Sequence, residues 1–572
     1  MRLRSNEWFD GDDEVAVLHR VALRNSGIEN HDPARPVIGV LDCGSELNPC
    51  NLPLESLALH VRAGIEAAGG IAVRLPVMSL GEDLMKPTAM LYRNLLAIEV
   101  EEYLRTYPVD GVVLMGNCDK SVPGALMGAA SADLPAIMVT GGARPVARFQ
   151  GKQVGTGTDL WRAWEDHRVG RLSDEQWREF ERCLACGLGA CNTMGTASTM
   201  AILTEALGMA LPGTAVIPTG DPARDEAAYL TGTRIVEMVA EDQRPSHILS
   251  DSALRNAVKV LHAVGGSSNA VLHVLAIAGR VASSLHLDDI DQLGRDIPVL
   301  ADVEPSGAGL IQDFHQAGGV PTIMRLLVEH FETDALTVTG RSWAEELPTE
   351  VAASGVLRDP SDPLHEGGAF VVVHGDLAPD GAVLKASAAS PELFEHTGPA
   401  VVFSSYDDMR ARIDDPELDV SPESVLVLLG AGPVAVPGMP EWGMIPIPAK
   451  LAKSGVSDMV RVTDARMSGT SFGTCFLHVA PEAAVGGPLG LVCDGDLIQV
   501  SVANRRIDLL VEPSVLDARR AAWTPPISEH LRGWPALYQA HVTQADTGCD
   551  LDFLRAPTQG HRRVISPIVG RS

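Results

Sequence analysis

The chain has 572 residues and a formal net charge of −29 at pH 7, from 45 Lys and Arg against 74 Asp and Glu. Apolar residues make up 45% and charged residues 21% of the chain, as in ordinary globular proteins, which argues against disorder. The acidic balance argues against nucleic acid or an anionic membrane as the main partner, although local cations or metals can still hold an anionic small molecule. The length allows two to four domains of about 150 residues each.

The amino-terminal segment, residues 1–14, is polar and acidic after two arginines, so a signal peptide is not expected. No apolar run approaches the ~20 residues that a membrane-spanning helix needs. We therefore expect a cytoplasmic protein without a membrane partner. Thiols stay reduced in that compartment, so we expect the nine cysteines to be structural, catalytic or metal-bound rather than paired in disulfides.

Short apolar runs alternate with amphipathic stretches through the first third of the chain. The apolar runs predict strands at residues 36–41, 71–78, 111–115 and 135–140. The stretches between them predict helices at residues 54–68, 88–106 and 125–132. Strands that alternate with helices are typical of a parallel sheet covered on both faces. The predicted fold class is therefore α/β, with an amino-terminal doubly wound parallel-sheet domain.

The rest of the chain divides into a helical middle and a strand-rich end. Apolar periodicity predicts helices near residues 174–186, 193–210, 224–240, 267–281 and 317–330. From about residue 368, short β-rich runs with turn signals favour a barrel or a sandwich, and residues 496–511 predict two strands around a turn. We place the boundary near residue 366, which gives domains of residues 1–365 and 366–572.

A thiol, a carboxylate and an amine follow the third predicted strand directly, at Cys118, Asp119 and Lys120. In an open parallel sheet, ligands bind in the loops just past the carboxyl ends of the strands. These three side chains therefore predict a functional site. A buried cysteine beside a surface ion pair is the alternative interpretation.

Cys191 lies in a glycine-rich loop that opens the helix predicted near residues 193–210. The free N–H groups and the dipole at a helix amino terminus stabilise a thiolate. Cys183 and Cys186 form a CxxC pair just upstream, but a zinc ribbon needs a second such pair, which the sequence lacks. We expect Cys183 to be helical and structural.

Two cysteines and a glutamate follow the first two predicted strands. Cys43 and Cys50 flank a loop after the first strand, and the residues alone do not say which of them is a plain buried thiol. Glu82 follows the second strand, so we expect its carboxylate at the same sheet edge as Cys50 and Cys118. A solvated loop carboxylate is the alternative for Glu82.

Two further candidates lie in the strand-rich part. A tight turn at residues 438–442 presents Glu441, and a glycine-containing loop after the run 459–463 carries Ser468, which can be a nucleophile, a base, an anion ligand or a turn residue. Ser468 is not the serine of a Gly-x-Ser-x-Gly elbow, and no histidine is closer to it in the sequence than His478, so a serine-hydrolase triad at Ser468 is unsupported. No Gly-x-Gly-x-x-Gly follows the first strand, which weakens a dinucleotide-binding interpretation.

Together these motifs resemble the dihydroxy-acid dehydratase and sugar-acid (aldonate) dehydratase family. The matching segments are long and specific, and they lie at residues 41–51, 81–95, 113–142, 186–215, 262–278, 302–307, 315–321, 438–442 and 463–490. The resemblance implies an amino-terminal doubly wound α/β domain and a carboxyl-terminal β-barrel domain with the active site between them. It also implies a homodimer or a homotetramer.

The resemblance implies two cofactors. The first is a [2Fe–2S] cluster with one open iron, held by three matching cysteines: Cys50, Cys118 and Cys191. The second is Mg²⁺, held by four matching residues: Glu82, Asp119, Lys120 and Glu441. Lys120 would be modified by CO₂ to a carbamate, whose oxygens suit this hard cation. Ser468 matches the catalytic base of the family, and the barrel domain would contribute Glu441 and Ser468.

The implied reaction is the dehydration of a 2,3-dihydroxy acid to a 2-keto-3-deoxy acid. The loss of the C2 proton and the loss of the C3 hydroxide are both unfavourable in water, so the reaction needs two Lewis acids. Mg²⁺ would act at the carboxylate end of the substrate, and the open iron would act at its C3 hydroxyl. Fully ligated clusters normally serve electron transfer, whereas three cysteines leave a position for substrate. A serine base requires an alkoxide that nearby positive charge stabilises.

Within the family, residues 81–94 resemble the pentonate and hexonate dehydratases, which favours an aldonate substrate such as L-arabinonate, D-xylonate or a hexonate. Ser121 and Val122 depart from the two threonines usual after the lysine, which bears on the substrate pocket more than on the mechanism. One alternative is a branched-chain 2,3-dihydroxy-acid dehydratase. Another, from a different class, is a non-catalytic iron–sulfur sensor, against which the retained Lys120 and Ser468 argue.

Overall fold

The computed structural model describes residues 2–28, 32, 34–351, 353–557 and 567–570. Its first part carries a parallel sheet, and the elements of this part are α1 (Asn6–Phe9), α2 (Glu14–Asn25), β1 (Val37–Asp42), α3 (Leu54–Ala67), β2 (Ile71–Pro76), α4 (Met90–Thr106), β3 (Gly111–Met115), α5 (Ser121–Ala132), β4 (Ala136–Val139), β5 (Ala147–Phe149), β6 (Lys152–Val154), α6 (Thr158–Arg168), α7 (Asp174–Leu184), α8 (Thr196–Ala206), α9 (Pro222–Glu241), α10 (Pro245–Ile248), α11 (Asp251–Ala263), α12 (Ser268–Arg280), α13 (Leu287–Gly294), α14 (Ile311–Gln316), α15 (Gly319–Leu326) and α16 (Trp343–Glu346). The second part carries a larger mixed sheet, and its elements are β7 (Val371–Val373), β8 (Gly381–Leu384), β9 (Glu395–Phe403), α17 (Tyr406–Arg412), β10 (Val425–Leu428), α18 (Ala449–Lys453), β11 (Arg461–Thr463), β12 (Cys475–Ala480), β13 (Leu497–Ser501), β14 (Arg506–Leu509), α19 (Pro513–Ala522) and α20 (Gly533–His541).

The first four strands form a parallel sheet in the order β2-β1-β3-β4. β1 and β3 are buried along their whole length because helices cover both faces of the sheet. α3 packs against α9 and α4 packs against α5, and right-handed crossovers place these two pairs on opposite faces. Asp42 pairs with both Pro76 and Met115, and Met115 pairs with Val139, so the four strands end at one edge. The predicted doubly wound α/β fold is confirmed.

Two glycines allow α3 and α9 to pack backbone against backbone. A Cβ on Gly64 would lie 2.0 Å from the carbonyl oxygen of Tyr229, and a Cβ on Gly232 would lie 2.1 Å from that of Val61. Any side chain at these positions would push the helices apart. The cover on this face of the sheet therefore depends on both glycines.

The second sheet has eight strands in the order β14-β13-β9-β10-β11-β12-β8-β7. β9, β10, β11 and β12 run parallel, and the flanking pairs are antiparallel. A bridge between His374 and Arg506 brings the end of β7 to β14 and nearly closes the sheet into a barrel. The barrel is therefore confirmed, and the sandwich that the strand pattern also allowed is not formed. The first strand of the barrel begins at Val371, a few residues after the predicted domain boundary near residue 366.

The predicted helices are confirmed with shifted ends. The helix expected at residues 193–210 spans Thr196–Ala206, because the backbone N–H of Met194 donates to the carbonyl oxygen of Glu304 at 2.7 Å and holds this residue in the preceding loop. The helix expected at residues 317–330 ends at Leu326 and is followed by a short 3-10 turn, Val328–His330. In the part of the chain that the structure describes, no helix has the length and apolar composition needed to cross a bilayer.

Candidate active site

A cavity of about 470 Å³ lies between the carboxyl edge of the parallel sheet and loops of the barrel. Residues of both parts line it, including seven of the eight candidates from the sequence: Cys50, Glu82, Cys118, Asp119, Cys191, Glu441 and Ser468. The eighth candidate, Lys120, is fully buried beside the cavity. Its amine contacts the carboxylates of Glu82, Asp119 and Glu441. The structure thus brings the whole candidate set to one place.

Three cysteines reach the cavity from three separate loops. Cys50 follows β1, Cys118 follows β3 and Cys191 precedes α8. A hydrogen bond with Cys50, together with burial, raises the pKa of the Cys118 thiol well above its usual value. Burial raises the pKa of Cys191 to about 12, although the Arg144 guanidinium opposes this shift. Without a metal, the Cys118 and Cys191 thiols therefore stay protonated at neutral pH.

The remaining cysteines near these loops do not line the cavity. Cys43 donates from Sγ to the carbonyl oxygen of Met115 at 2.9 Å, and burial raises its pKa to about 12. Cys186 donates to the carbonyl oxygen of Pro145 at 3.0 Å, and Cys183 lies on α7, as expected. The structure therefore separates Cys50 from Cys43, a choice that the residues alone leave open.

Two asparagines hold the first two cysteine loops together. Asn51 Oδ1 accepts hydrogen bonds from the backbone N–H of Asn117 at 3.1 Å and of Cys118 at 2.8 Å. Asn117 Nδ2 donates to the carbonyl oxygen of Cys50 at 2.8 Å. Asn51 Nδ2 also donates to the hydroxyl of Ser121 at 2.9 Å, which gives a structural role to the serine that departs from the family pattern. Asn51 and Asn117 directly adjoin Cys50 and Cys118 in the sequence, and this position is the signal by which sequence reasoning could have found the two asparagines.

Three carboxylates converge on the amine of Lys120. One ligand-capable oxygen from each of Glu82, Asp119 and Glu441 lies within 4.8 Å of the others. Lys120 Nζ contacts Asp119 and lies 3.3 Å from Glu82 Oε2 and 3.6 Å from Glu441 Oε1. Burial would lower the pKa of Lys120, but the carboxylates, led by Asp119, outweigh it and raise the pKa. Unless it is modified, this side chain is an ammonium.

Arg466 is a second buried cation in the site. It donates to Glu441 Oε1 at 2.7 Å, to the carbonyl oxygen of Met439 at 2.6 Å and to Thr88 Oγ1 at 2.9 Å. The Thr88 hydroxyl in turn donates to Glu82 Oε1 at 2.6 Å. Burial raises the pKa of Glu441 although both buried cations oppose it. At Glu82 the two cations outweigh burial, so the pKa is lowered.

The donor set around Lys120 fits a hard divalent cation. Glu82 Oε2 is buried, and its polar neighbour among the described residues is Lys120 Nζ at 3.3 Å, so modification of that amine would leave the lone pairs of the oxygen available to a metal. Mg²⁺ is bound by oxygen donors, which the three carboxylates provide. An ammonium has no lone pair to donate to a metal, whereas a carbamate on the same nitrogen would add a further oxygen donor. These four residues could therefore hold Mg²⁺ if Lys120 is carbamylated.

Ser468 lies in the loop after β11 and lines the cavity. Its Oγ is 3.0 Å from Thr470 Oγ1 and accepts a 3.4 Å hydrogen bond from the Thr470 backbone N–H. No histidine in the described ranges lines the cavity. His478 is buried, and neither of its ring nitrogens has a hydrogen-bond partner. The arrangement around Ser468 is therefore not a hydrolase triad.

Several residues of the site were not singled out from the sequence. Arg466 and Thr470 flank Ser468 in the segment 463–490, so their closeness to the candidate serine was an available signal. Asn269, which donates to Glu441 Oε1 at 2.6 Å, lies in the matching segment 262–278. Trp161 lines the cavity from α6, which belongs to no matching segment, and the sequence carries no signal for it.

Two family models match most of the chain. The model described as dihydroxy-acid/6-phosphogluconate dehydratase N-terminal matches residues 35–346. The model described as dihydroxy-acid/6-phosphogluconate dehydratase C-terminal matches residues 355–549.

Curated relatives are similar over nearly their full length. The chain is 47% identical to L-arabinonate dehydratase of Rhizobium leguminosarum bv. trifolii and 45% identical to 6-deoxy-6-sulfo-D-gluconate dehydratase of Pseudomonas putida, each over 97% of this chain and 96% of the relative. It is 36% identical to dihydroxy-acid dehydratase of Methanobrevibacter smithii, over 93% of this chain and 97% of the relative. The chain therefore belongs to the dihydroxy-acid/6-phosphogluconate dehydratase family and is a hydro-lyase.

Proposed function

We propose that this hydro-lyase removes water from a sugar acid (an aldonate) to give a 2-keto-3-deoxy acid, with Mg²⁺ and an open-iron [2Fe–2S] cluster as cofactors. One observation carries the proposal: three cysteines, three carboxylates around Lys120 and one serine converge on a single cavity. The relatives support the substrate class, because two that are named for sugar acids are 45–47% identical, against 36% for one named for dihydroxy acids.

In this proposal Cys50, Cys118 and Cys191 hold the cluster. Three thiolates on two irons leave one iron position for substrate. Arg144 supports such a site, because its guanidinium Nη2 lies 3.8 Å from Cys50 Sγ and would offset the negative charge of the thiolates. The hydrogen bonds of Asn51 and Asn117 already hold the loops of Cys50 and Cys118 together, which supports these two thiols as ligands of one cluster.

Glu82, Asp119, Glu441 and carbamylated Lys120 hold Mg²⁺ in the same proposal. The hydrogen bonds from Arg466 and Asn269 to Glu441 support this assignment, because partners of ligating carboxylates orient them toward the metal. The carbamate exchanges a positive charge for a negative one. The divalent cation would offset that change, so the buried cluster of charges stays close to balance.

When bound, the two cofactors supply Lewis acidity at the carboxylate end and at the leaving hydroxyl of the substrate. Ser468 Oγ takes the proton from C2. The electron pair of the C2–H bond forms the C2=C3 double bond, while the C3–O bond breaks and the oxygen leaves as hydroxide, which takes up a proton to become water. The resulting enol gains a proton at C3 and loses its hydroxyl proton, which gives the 2-keto-3-deoxy acid.

The cavity wall beyond the catalytic set favours a polyhydroxy chain over a branched alkyl chain. Asp83 and Lys86 line it and can form hydrogen bonds with hydroxyls beyond C3. Tyr406 and Trp442 stack with ring centroids 4.4 Å apart and form a flat apolar wall. A branched-chain substrate carries no further hydroxyls, so it could not form these hydrogen bonds.

A substrate panel tests the proposal, using anaerobically reconstituted protein with Mg²⁺. We expect a 2-keto-3-deoxy acid from at least one pentonate or hexonate, with a higher kcat/KM than on 2,3-dihydroxyisovalerate. The opposite order would assign the branched-chain activity. No product from any of these acids would overturn the proposal and favour the iron–sulfur sensor.

Two serine variants test the base. We expect Ser468→Ala to abolish turnover, because the C2 proton then has no acceptor. Ser454→Ala is the matched control, since Ser454 is exposed at the end of α18, and it should keep the wild-type rate. Full turnover by Ser468→Ala would remove the serine from this role.

A further inference from the structure

Thr470 connects the barrel loop that carries Ser468 to α6 of the α/β part. Its Oγ1 lies 3.0 Å from Ser468 Oγ and accepts a 3.0 Å hydrogen bond from Trp161 Nε1. Its backbone carbonyl accepts a 2.9 Å hydrogen bond from Thr158 Oγ1. Thr470 is only 5% exposed, so its protein neighbours rather than bulk water decide how its hydroxyl is oriented.

The indole N–H decides the direction of the hydrogen bond between the two hydroxyls. An indole nitrogen only donates, so Trp161 occupies one lone pair of Thr470 Oγ1. The other partner of this hydroxyl among the described residues is Ser468 Oγ, and a buried hydroxyl hydrogen without an acceptor is unfavourable. Thr470 therefore donates to Ser468, which leaves the hydrogen of Ser468 free to point into the cavity.

Close packing holds Thr470 in this orientation. A Cβ on Gly157 would lie 2.7 Å from Thr470 Oγ1, and a Cβ on Gly195 would lie 2.9 Å from its Cγ2. Gly157 has a φ of +115°, which favours glycine. These glycines directly precede α6 and α8, so the starts of both helices confine the threonine side chain.

We infer that Trp161 is a positioning residue for proton abstraction: its indole N–H fixes the Thr470 hydroxyl as a donor to Ser468 Oγ. The inference rests on the role proposed for Ser468. Donation from Thr470 stabilises the negative charge that Ser468 must carry in order to act as a base. Trp161 strengthens this donation, because a hydroxyl that accepts one hydrogen bond becomes a better donor in the next.

Trp161→Phe tests the inference, because it keeps an aromatic ring and removes only the N–H donor. Loss of a direct donor to a reacting oxygen costs about 10²–10³ in kcat, so for this indirect donor we expect a loss of about tenfold. KM for the aldonate should change by less than about twofold, because Trp161 acts on the base rather than on substrate binding. Slower proton abstraction should also raise the primary isotope effect on kcat with C2-deuterated substrate.

Trp164→Phe is the matched control, since Trp164 is exposed on the same helix, and it should keep the wild-type kcat and isotope effect. Thr470→Val completes a double-mutant cycle. If Trp161 acts through the hydroxyl, adding Trp161→Phe to Thr470→Val should not lower kcat further. Thr470→Ser keeps a hydroxyl and should remain sensitive to Trp161→Phe.

Three results would overturn the inference. The first is an unchanged kcat in Trp161→Phe, and the second is an equal fold-loss of kcat when Trp161→Phe is added to the wild type and to Thr470→Val. The third is a change confined to KM with an unchanged isotope effect. Failure of the proposed function is distinguishable from these. In that case the wild-type protein forms no keto acid from any aldonate, or Ser468→Ala keeps full turnover.

Discussion

Arg466 connects the carboxylates of the two parts of the molecule. It donates directly to Glu441 of the barrel part and, through the hydroxyl of Thr88, reaches Glu82 of the α/β part. Its side chain is 0% exposed, so these charge-assisted hydrogen bonds form away from competing water. One residue that lies two positions before Ser468 therefore orients ligands from both sides of the cavity.

Replacing Arg466 with methionine should loosen the proposed magnesium site. Glu441 and Thr88 lose a buried donor, so we expect the affinity for Mg²⁺ to fall about 10–100-fold, as for other residues that orient metal ligands. Calorimetric titration of metal-free protein with Mg²⁺ measures this affinity. Arg520→Met, at an exposed position on α19, is the control and should bind Mg²⁺ like the wild type. An unchanged affinity in Arg466→Met would show that Arg466 does not position the ligands.

Two cysteine variants separate cluster ligands from buried thiols. Cys118→Ser removes a side chain that lines the cavity, so we expect loss of bound iron and sulfide and of the visible absorbance of the reconstituted protein. Cys43→Ser is the matched control, because Cys43 is equally buried near the same sheet edge but donates to the carbonyl oxygen of Met115 instead. Full iron content in Cys118→Ser, or loss of the cluster in Cys43→Ser, would contradict the assignment.

Cys43 and Cys50 show what sequence reasoning cannot predict at the scale of single residues. Cys43 and Cys50 lie in one loop past one strand, and neither periodicity nor spacing places one thiol rather than the other in the cavity. Only the family resemblance selects Cys50. The structure separates them through long-range contacts, with Asn117 holding the backbone of Cys50 and Met115 accepting from Cys43. Such contacts depend on the neighbouring strand, which local patterns do not report.

At the scale of elements, the parallel sheet was predictable and several other elements were not. β1, β2 and β3 are apolar runs that alternate with helices, and a candidate residue follows each of them, so the parallel arrangement alone predicted a shared edge. β12 is buried at all six positions, so its residues do not alternate between apolar and polar, and in the described part of the chain no α-helix follows it directly to mark a strand–helix repeat. α6 is rich in charged residues, and its role arises only where Trp161 contacts the barrel loop.

α8, the helix that follows Cys191, carries a buried carboxyl near its end. Glu205 Oε1 accepts from the backbone N–H of Gly213 at 2.6 Å, and Oε2 accepts from that of Ala215 at 2.8 Å. Burial outweighs these hydrogen bonds and raises the pKa of Glu205 from 4.5 to about 7. A carboxyl whose pKa is raised by folding contributes stability that is fully present below pH 4.5 and is lost as the pH rises through about 7.

Glu205→Gln should remove this pH dependence. We expect the wild type to lose thermal stability relative to Glu205→Gln as the pH rises from about 5 to about 8, because deprotonation of the buried carboxyl penalises only the wild type. Calorimetric scans at one heating rate across this range measure the difference in Tm. Glu226→Gln, at an exposed position on α9, should melt in parallel with the wild type at every pH. A constant difference between Glu205→Gln and wild type would refute the role of burial.

At the scale of the whole molecule, the site exists because the barrel part docks on the carboxyl edge of the parallel sheet. Glu441 and Ser468 lie far along the chain from Cys118, and neither periodicity nor spacing predicts that they meet. Only the resemblance to a known family placed the active site between the two parts. The contacts that hold the parts together are specific buried pairs, such as Arg466 with Thr88, and these leave no pattern in the sequence.

The chain after the barrel returns to the α/β part and forms another such pair. Arg280 of α12 donates to both carboxylate oxygens of Asp550, from Nε at 2.6 Å and from Nη2 at 3.0 Å. Both side chains are at most 1% exposed. Arg93 of α4 donates to the carbonyl oxygens of Gly548 and Cys549 in the same segment. These bonds attach the carboxyl-terminal segment to two helices, α4 and α12, that both pack against α5.

Asp550→Ala should therefore destabilise the whole molecule. Arg280 would stay buried with Glu101, 3.7 Å away, as its remaining carboxylate, and breaking a buried pair of this kind costs about 3–5 kcal/mol. Chemical denaturation followed by circular dichroism measures the loss as a lower denaturation midpoint. Asp517→Ala is the matched control, because the pair of Asp517 with Arg520 is exposed on both sides and should contribute little. If both variants unfold at the wild-type midpoint, the carboxyl-terminal segment does not hold the two parts together, and the docking depends on the cavity contacts alone.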